Sequence, residues 1–239
     1  MRVTSYMLLL LITFFACKPK EEREAIDLLG KAIEAHGGEK AFEDMSEIQF
    51  RKWTQLLDEN GDVESETDQL IQFQLKPSLT GKISWEKDSI KHVIEFDGEQ
   101  TSYKMGENSV QNSGFLQAKR KEFDAAYYVV MQPLMLLQEE NVKLVYEGVR
   151  TVFEKEVQVI RAEYGPDEDV WWYYFDSKTN LMAGNEVQLK DHRSQIENLS
   201  FSQAGNLKFY GQRESYRVDE NGNRKFLRAI YSYSDFQLK

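Results

Sequence analysis

The sequence predicts a mainly β (α+β) fold, about eleven antiparallel strands curled into a barrel or an incomplete antiparallel β-barrel, with helices that cover an apolar cavity or plug it. Three observations predict it. Aromatic residues are 13% of the 239 residues, and aromatic side chains favour strands. Apolar and polar residues alternate along most of the chain between Gly, Asn, Asp and Pro turn signals. Only two stretches carry helical spacing instead, one near the N-terminus and one in the middle. A twisted sheet of this many strands curls, and a barrel wider than eight strands holds more volume than side chains readily fill. Its interior is expected to be a cavity or to be plugged.

The first residues read as an address. Arg2 is the only charge before Lys18, and Met7 to Phe15 is almost wholly apolar, followed by Ala16 and Cys17. That stretch is short for a transmembrane helix, which needs about 20 apolar residues. It fits a secretory signal over 1–16. The ending Phe14-Phe15-Ala16-Cys17 resembles the bacterial lipoprotein box, which implies cleavage before Cys17 and lipid on its sulfur and amine. Cys17 is the only cysteine, so no disulfide forms within the chain. Residues 17–24 are expected to be a polar tether. Within it, Lys20-Glu21-Glu22 resembles the surface-export signal of some Bacteroidetes lipoproteins. A single domain is expected over 25–239.

The first helix is expected over 21–35, with Ile26, Leu29 and Ile33 on one stripe flanked by Ala25 and Ala32. His36-Gly37-Gly38 ends it, because glycine takes the left-handed conformation. Residues 39–45 add another turn or two. From Ile48 the period changes to two. Asn60-Gly61 predicts a hairpin. Ile71, Phe73 and Leu75 alternate with Gln72, Gln74 and Lys76, then Leu79, Gly81, Ile83 and Trp85, then Ile90, His92, Ile94 and Phe96. Residues 101–105 form a short strand.

Residues 114–140 return to helical spacing through Phe115, Leu116, Phe123, Tyr127, Val130, Met131, Leu134 and Leu137. Pro133 ends or kinks this helix, or starts a second. Strands then resume over 142–146, 157–164, 170–175, 181–190, 196–201, 207–218 and 226–236, with turns at Gly165-Pro166-Asp167, 176–180, Gly205-Asn206 and Asn221-Gly222.

Several function classes are excluded or weakened. The formal net charge of −10 disfavours nucleic acid, whose affinity comes from Lys and Arg on phosphates. No GxSxG, P-loop or GxGxxG is present, and His36, His92 and His192 have no metal-ligand spacing. Asp58-Glu59-Asn60-Gly61-Asp62 departs from a calcium loop, since its glycine stands fourth rather than sixth. No metal or cofactor is expected. His36 is expected to cap its helix, and His92 to be a satisfied core or cavity histidine. Lys119, Arg120 and Lys121 form a basic segment, read as a solvated helix face or a contact for anionic head groups.

Val170-Trp171-Trp172-Tyr173-Tyr174-Phe175-Asp176, followed by Lys178-Thr179-Asn180-Leu181, resembles the "aromatic strand, Asp, turn, Leu" element of the LolA/LolB-like lipoprotein-sorting superfamily. It is especially similar to Bacteroidetes lipoproteins of that fold. The order of elements over 21–239 is similar as well. The resemblance implies a half-barrel with helices over its mouth, no catalysis, and an apolar ligand such as an acyl chain or a lipoprotein's lipid. It also implies a lipid-anchored envelope protein, at the outer membrane on its periplasmic or outer face.

The candidate cavity lining is Trp85, Phe96, Tyr127, Val130, Met131, Leu134, Met135, Trp171, Tyr173 and Phe175. Trp171, Tyr173 and Phe175 share one strand face and Trp172 and Tyr174 the other, so one set lines the cavity while the other packs elsewhere. The remaining readings are an envelope scaffold with a filled barrel and, with least support, an envelope hydrolase.

Overall fold

The structure is a computed structural model that describes residues 18–166 and 168–239. The signal segment expected over 1–16, the expected lipid-attachment residue Cys17 and Asp167 of the expected turn lie outside the described residues.

The chain begins with α1 (Lys20–Ala35) and α2 (Glu39–Asp44). A meander follows: β1 (Glu47–Leu57), β2 (Val63–Gln74), β3 (Thr80–Lys87), β4 (Ile90–Phe96), β5 (Thr101–Met105) and β6 (Asn108–Ser109). Next come α3 (Ser113–Val130) and α4 (Leu134–Gln138), then β7 (Lys143–Val152), β8 (Lys155–Glu163), β9 (Val170–Asp176), β10 (Met182–Gln188) and β11 (Arg193–Asn198). The last elements are β12 (Phe201–Ala204), β13 (Leu207–Tyr210), β14 (Gln212–Val218) and β15 (Arg224–Leu238).

Thirteen strands make one antiparallel sheet in the order β6-β5-β4-β3-β2-β1-β15-β14-β11-β10-β9-β8-β7. Each half is a meander, and pairing of β1 with β15 joins the chain's first and last strands. The strands β6 and β7 stand at opposite edges, so the sheet is open, as the resemblance implies. The helices α3 and α4 carry the chain from one edge to the other.

The described residues hold fifteen strands rather than about eleven. The difference has local causes. The single strands expected over 196–201 and 207–218 each break in two, at Leu199-Ser200 and at Gly211. There the chain leaves the sheet as a separate hairpin, β12–β13. A Cβ at Gly211 would sit 2.6 Å from Ser200 Oγ and 3.3 Å from the Ser200 backbone, so the neck of this hairpin is tight. The hairpin buries Leu207, Phe209 and Tyr210, with Phe209 edge-on to Phe42 of α2 at 6.4 Å and stacked on Phe236 at 4.6 Å. The expected plug is therefore in part a β-hairpin.

The helix α1 forms where predicted, with its stripe rotated slightly. It buries Ala25, Leu28, Leu29, Ala32 and Ile33, while Ile26 is half-buried at the margin. It also takes in residues 20–24, which corrects the tether expected over 17–24. Lys18–Glu22 and Lys20–Glu24 pairs, each one turn apart, favour helix over coil there.

One core fills most of the concave face. Ile71, Phe73, Ile83, Ile94 and Phe96 alternate inward as expected and meet Phe123 of α3, which is fully buried. Phe123 lies edge-on to Phe73 at 5.0 Å and 5.4 Å from Phe96. Each such ring contributes about 1.5–3 kcal/mol by burial. Gly81 makes the approach possible, because a Cβ there would sit 2.5 Å from the Gln72 carbonyl and 3.1 Å from the Phe123 ring. Ile90 keeps the parity of β4 but is exposed, since it lies at the strand's outer end. A smaller cluster of Val157, Val159, Tyr174 and Ala183 lies on the opposite face of the sheet.

Candidate functional site

The C-terminal half of α3 does not close fully on the sheet. Between it and strands β9, β10, β11 and β14 lies a pocket of about 390 Å³. Strand parity builds one wall. Tyr173 pairs with Asn185, and Asn185 with Ile196, so these three side chains form a row across β9, β10 and β11 on one face. Trp171 lies two residues before Tyr173, on the same face, and stacks on it with centroids 6.2 Å apart. Asn198 and Arg213 are paired on β11 and β14 one step further along. The helical wall is Asp124, Ala125, Tyr128, Val129 and Gln132, with Glu139 and Tyr164 at one side.

The polar groups of the wall fall into two sets. In the first, Tyr128 Oη donates to Glu139 Oε2 at 2.7 Å, and Tyr164 Oη donates to the same oxygen at 3.0 Å. Burial pushes the Tyr128 and Tyr173 hydroxyls well up and the Tyr164 hydroxyl up, so they stay neutral. In the second set, Arg213 Nε donates to Asn198 Oδ1 at 2.7 Å and one Nη donates to Asn185 Oδ1 at 2.9 Å. Its guanidinium lies 4.3 Å from the centroid of Tyr210, whose hydroxyl donates to Gln132 Oε1 at 3.0 Å. That last bond ties the end of α3 to the hairpin β12–β13.

Of the residues singled out from sequence, Trp171 and Tyr173 line this pocket. Phe175, on the same face, is fully buried in the core. Val130, Met131 and Leu134 are buried there as well, with Met135 packed against them. Tyr127 packs edge-on to Phe73 at 5.6 Å, and it is the next residue, Tyr128, that faces the pocket. One residue is about 100° of helix, enough to move a ring from core to pocket. Phe96 lies in the core under Arg120, whose guanidinium is 3.5 Å from its centroid. Trp85 stacks on His92 at 5.1 Å at the rim of a different, polar depression beyond β2.

The other parity of the aromatic strand packs elsewhere. Tyr174 lies in the smaller cluster and donates to the buried Glu186 at 3.0 Å. Two of the three cations of the basic segment of α3 are committed internally: Lys119 pairs with Glu122 and sits about 5.5 Å from three ring centroids, and Arg120 pairs with Asp124, while Lys121 is exposed.

The histidines have local partners. His36 is the C-terminal cap of α1, but not as a cation at the helix end. It is buried; Met182 N–H donates to its Nε2 at 3.2 Å, and its Nδ1–H donates to the Lys208 carbonyl at 2.9 Å. Burial holds its pKa down at about 4, with the Lys208 ammonium acting the same way and its carbonyl opposing. His92 bonds Tyr103 Oη at 2.6 Å, and His192 bonds Asp191 at 2.7 Å. Asp58 and Asp219 accept turn N–H groups at 2.8–2.9 Å, as hairpin residues do. Among the described residues no cluster of His, Cys, Asp and Glu could hold a metal ion, and no helix is long and apolar enough to cross a membrane.

Sequence reasoning missed Tyr128, Glu139, Tyr164, Asn185 and Arg213. The parity of β14 carried a usable signal, since Arg213 and Ser215 alternate with Glu214 and Tyr216. Nothing in that pattern marked an arginine as buried.

No family model and no curated protein matches the sequence. Solved structures do match its fold. A DUF1329 family protein from Desulfovibrio piger superposes with a TM-score of 0.57 at 7% identity, over 92% of this chain and 93% of that one. A LolA superfamily protein from Nitrosomonas europaea gives 0.55 at 10% identity, over 90% and 93%. The fold is LolA-like. An outer membrane lipoprotein-sorting protein domain from Vibrio parahaemolyticus agrees at 0.55 and 6% identity, over 91% and 93%. At such identities the likeness concerns the LolA-like backbone, and the pocket's chemistry must be read from this chain's own residues.

Proposed function

We propose that this chain is a non-catalytic, lipid-anchored envelope protein that holds a hydrophobic ligand in the pocket under α3. The ligand class is an acyl chain or a lipid or lipoprotein moiety. One observation carries the reading: a LolA-like sheet and its covering helix leave about 390 Å³ between Trp171, Tyr173, Val129 and Ile196. That volume lies within the about 300–1,000 Å³ of ordinary ligand sites. The lipoprotein-box ending at Cys17 supports anchoring in the envelope, and the fold shared with a lipoprotein-sorting domain supports the same setting.

Native mass spectrometry of the full chain, before and after incubation with hexadecanoic acid, tests it. An apolar species bound one to one is expected. Ala125→Trp, at an exposed pocket-wall position of α3, is expected to abolish that adduct without lowering the melting temperature. A wild-type protein that never carries an apolar species would overturn the reading.

The filled-barrel scaffold has one observation in its favour, the packing of Phe50, Phe73, Phe123 and Phe175 through most of the concave face. It predicts a stable protein partner in cross-linked envelopes and no bound lipid.

A further inference from the structure

The pocket wall contains a buried cation that the described protein does not neutralise. Arg213 is 3% exposed, on the inward parity of β14. Buried arginines are ordinarily matched by a carboxylate, because an uncompensated charge in the interior costs several kcal/mol. Here the partners are two neutral amide oxygens, of Asn198 and Asn185, and the face of Tyr210. The two carboxylates in the pocket wall are engaged elsewhere. Glu139 accepts from Tyr128 and Tyr164, and Asp124 pairs with Arg120.

Among the described residues, Arg213 uses two of its five N–H donors. Its Nη1 makes no bond to them, and among the described residues the enclosed side-chain N or O atom left without a partner is Ser177 Oγ, not Arg213 Nη1. Arg213 is one of the residues that line the pocket, and with Nε and one Nη bonded to the two asparagines, its other Nη is the nitrogen left for a ligand there. Asn198 and Asn185 brace the guanidinium from the strand side and leave a fork suited to a carboxylate or phosphate.

We propose that Arg213 is the head-group site of the pocket. It takes the carboxylate or phosphate of a single-chain anionic amphiphile whose apolar body lies along Trp171, Tyr173 and Val129. The proposal rests on the ligand-pocket reading above and sharpens it. A neutral acyl ester fills the same space but leaves the guanidinium unmatched, so the site selects acids over esters.

The test is a native mass spectrometry titration of the full chain with hexadecanoic acid, hexadecyl phosphate and methyl hexadecanoate. The wild type is expected to bind at least one of the two acids tenfold or more tightly than the ester, about 1.4 kcal/mol. Whichever acid binds more tightly distinguishes a fatty-acid carboxylate from a phosphate head group. Arg213→Gln is expected to reduce the acids to the ester's affinity, and Arg213→Lys to retain part of the preference. The wild-type comparison needs no variant, so it stands even where Arg213→Gln fails to fold. Equal binding of acid and ester by the wild type overturns the head-group proposal while leaving the pocket reading in place. A preference that survives Arg213→Gln does the same. Binding of none of the three overturns both.

Discussion

Two buried polar residues show how differently single side chains can serve this fold. Arg213 keeps its charge beside a pocket, whereas His36 gives its charge up. The His36 ring joins the end of α1 to β10 through Met182 and to β13 through Lys208, and only the neutral ring can accept from Met182 N–H. Its pKa is about 4 in the folded protein against 6.5 for an unperturbed histidine. Between those values the unfolded chain binds a proton that the folded chain does not. Stability is therefore fully present above pH 6.5 and falls as pH drops towards 4, by about 3 kcal/mol in all. Urea unfolding at pH 7.5 and pH 4.5 checks this against His36→Gln. The variant should be less stable at pH 7.5 but should lose much less on acidification. An unchanged loss would assign the titration to another group. From sequence, the position of His36 beside Gly37-Gly38 was legible as a helix end. Its neutral state was not, because its partners lie 146 and 172 residues away.

At the scale of elements, what could be read depended on whether the determining contacts were local. The alternation of Ile71, Phe73, Ile83 and Ile94 fixed strands and their buried face, since a period of two has one inward solution. The break at Gly211 was hidden, because residues 207–218 alternate well enough to pass for one strand. The start of α3 carried an unread cue: Asn112 caps it, its side chain accepting from Phe115 N–H at 2.8 Å. The pocket residues were least legible, since they depend on how α3 is rotated over the sheet. Gly81 sets that seating. Gly81→Val forces a branched side chain against the Gln72 carbonyl and the Phe73 ring of β2 and against the Phe123 ring of α3, and overpacking of this kind costs about 1–3 kcal/mol. The expected result is a denaturant midpoint lowered by that amount, with Phe123→Leu in the same chain recovering part of the loss by making room. If Gly81→Val costs as much in the Phe123→Leu background as in the wild type, the clash lies with the strand and not with α3.

For the whole molecule, charge and chain length together say how the protein would meet a membrane. Its formal charge of −10 gives no general attraction to an anionic bilayer, and two of the three cations in the basic segment of α3, Lys119 and Arg120, are taken up by Glu122, Asp124 and nearby rings. A lipid on Cys17 would have to supply the attachment. Each buried CH₂ adds about 0.8 kcal/mol, and more than one chain is needed for stable anchoring. The start of α1 at Lys20 leaves Lys18 and Pro19 between that cysteine and a folded helix, a span of roughly 11 Å at full extension. The folded body would then be held against the bilayer, with the N-terminal end of α1 towards it. Cys17→Ser is therefore expected to move the protein from the membrane fraction to the soluble fraction, because the net negative charge and the paired Lys119 and Arg120 leave little to replace the lipid. Folding should be unaffected, since the core begins at Ala25. Fractionation followed by thermal unfolding of the released protein measures both. Retention of the Cys17→Ser protein on membranes after a high-salt wash would show that some other part of the chain carries the attachment.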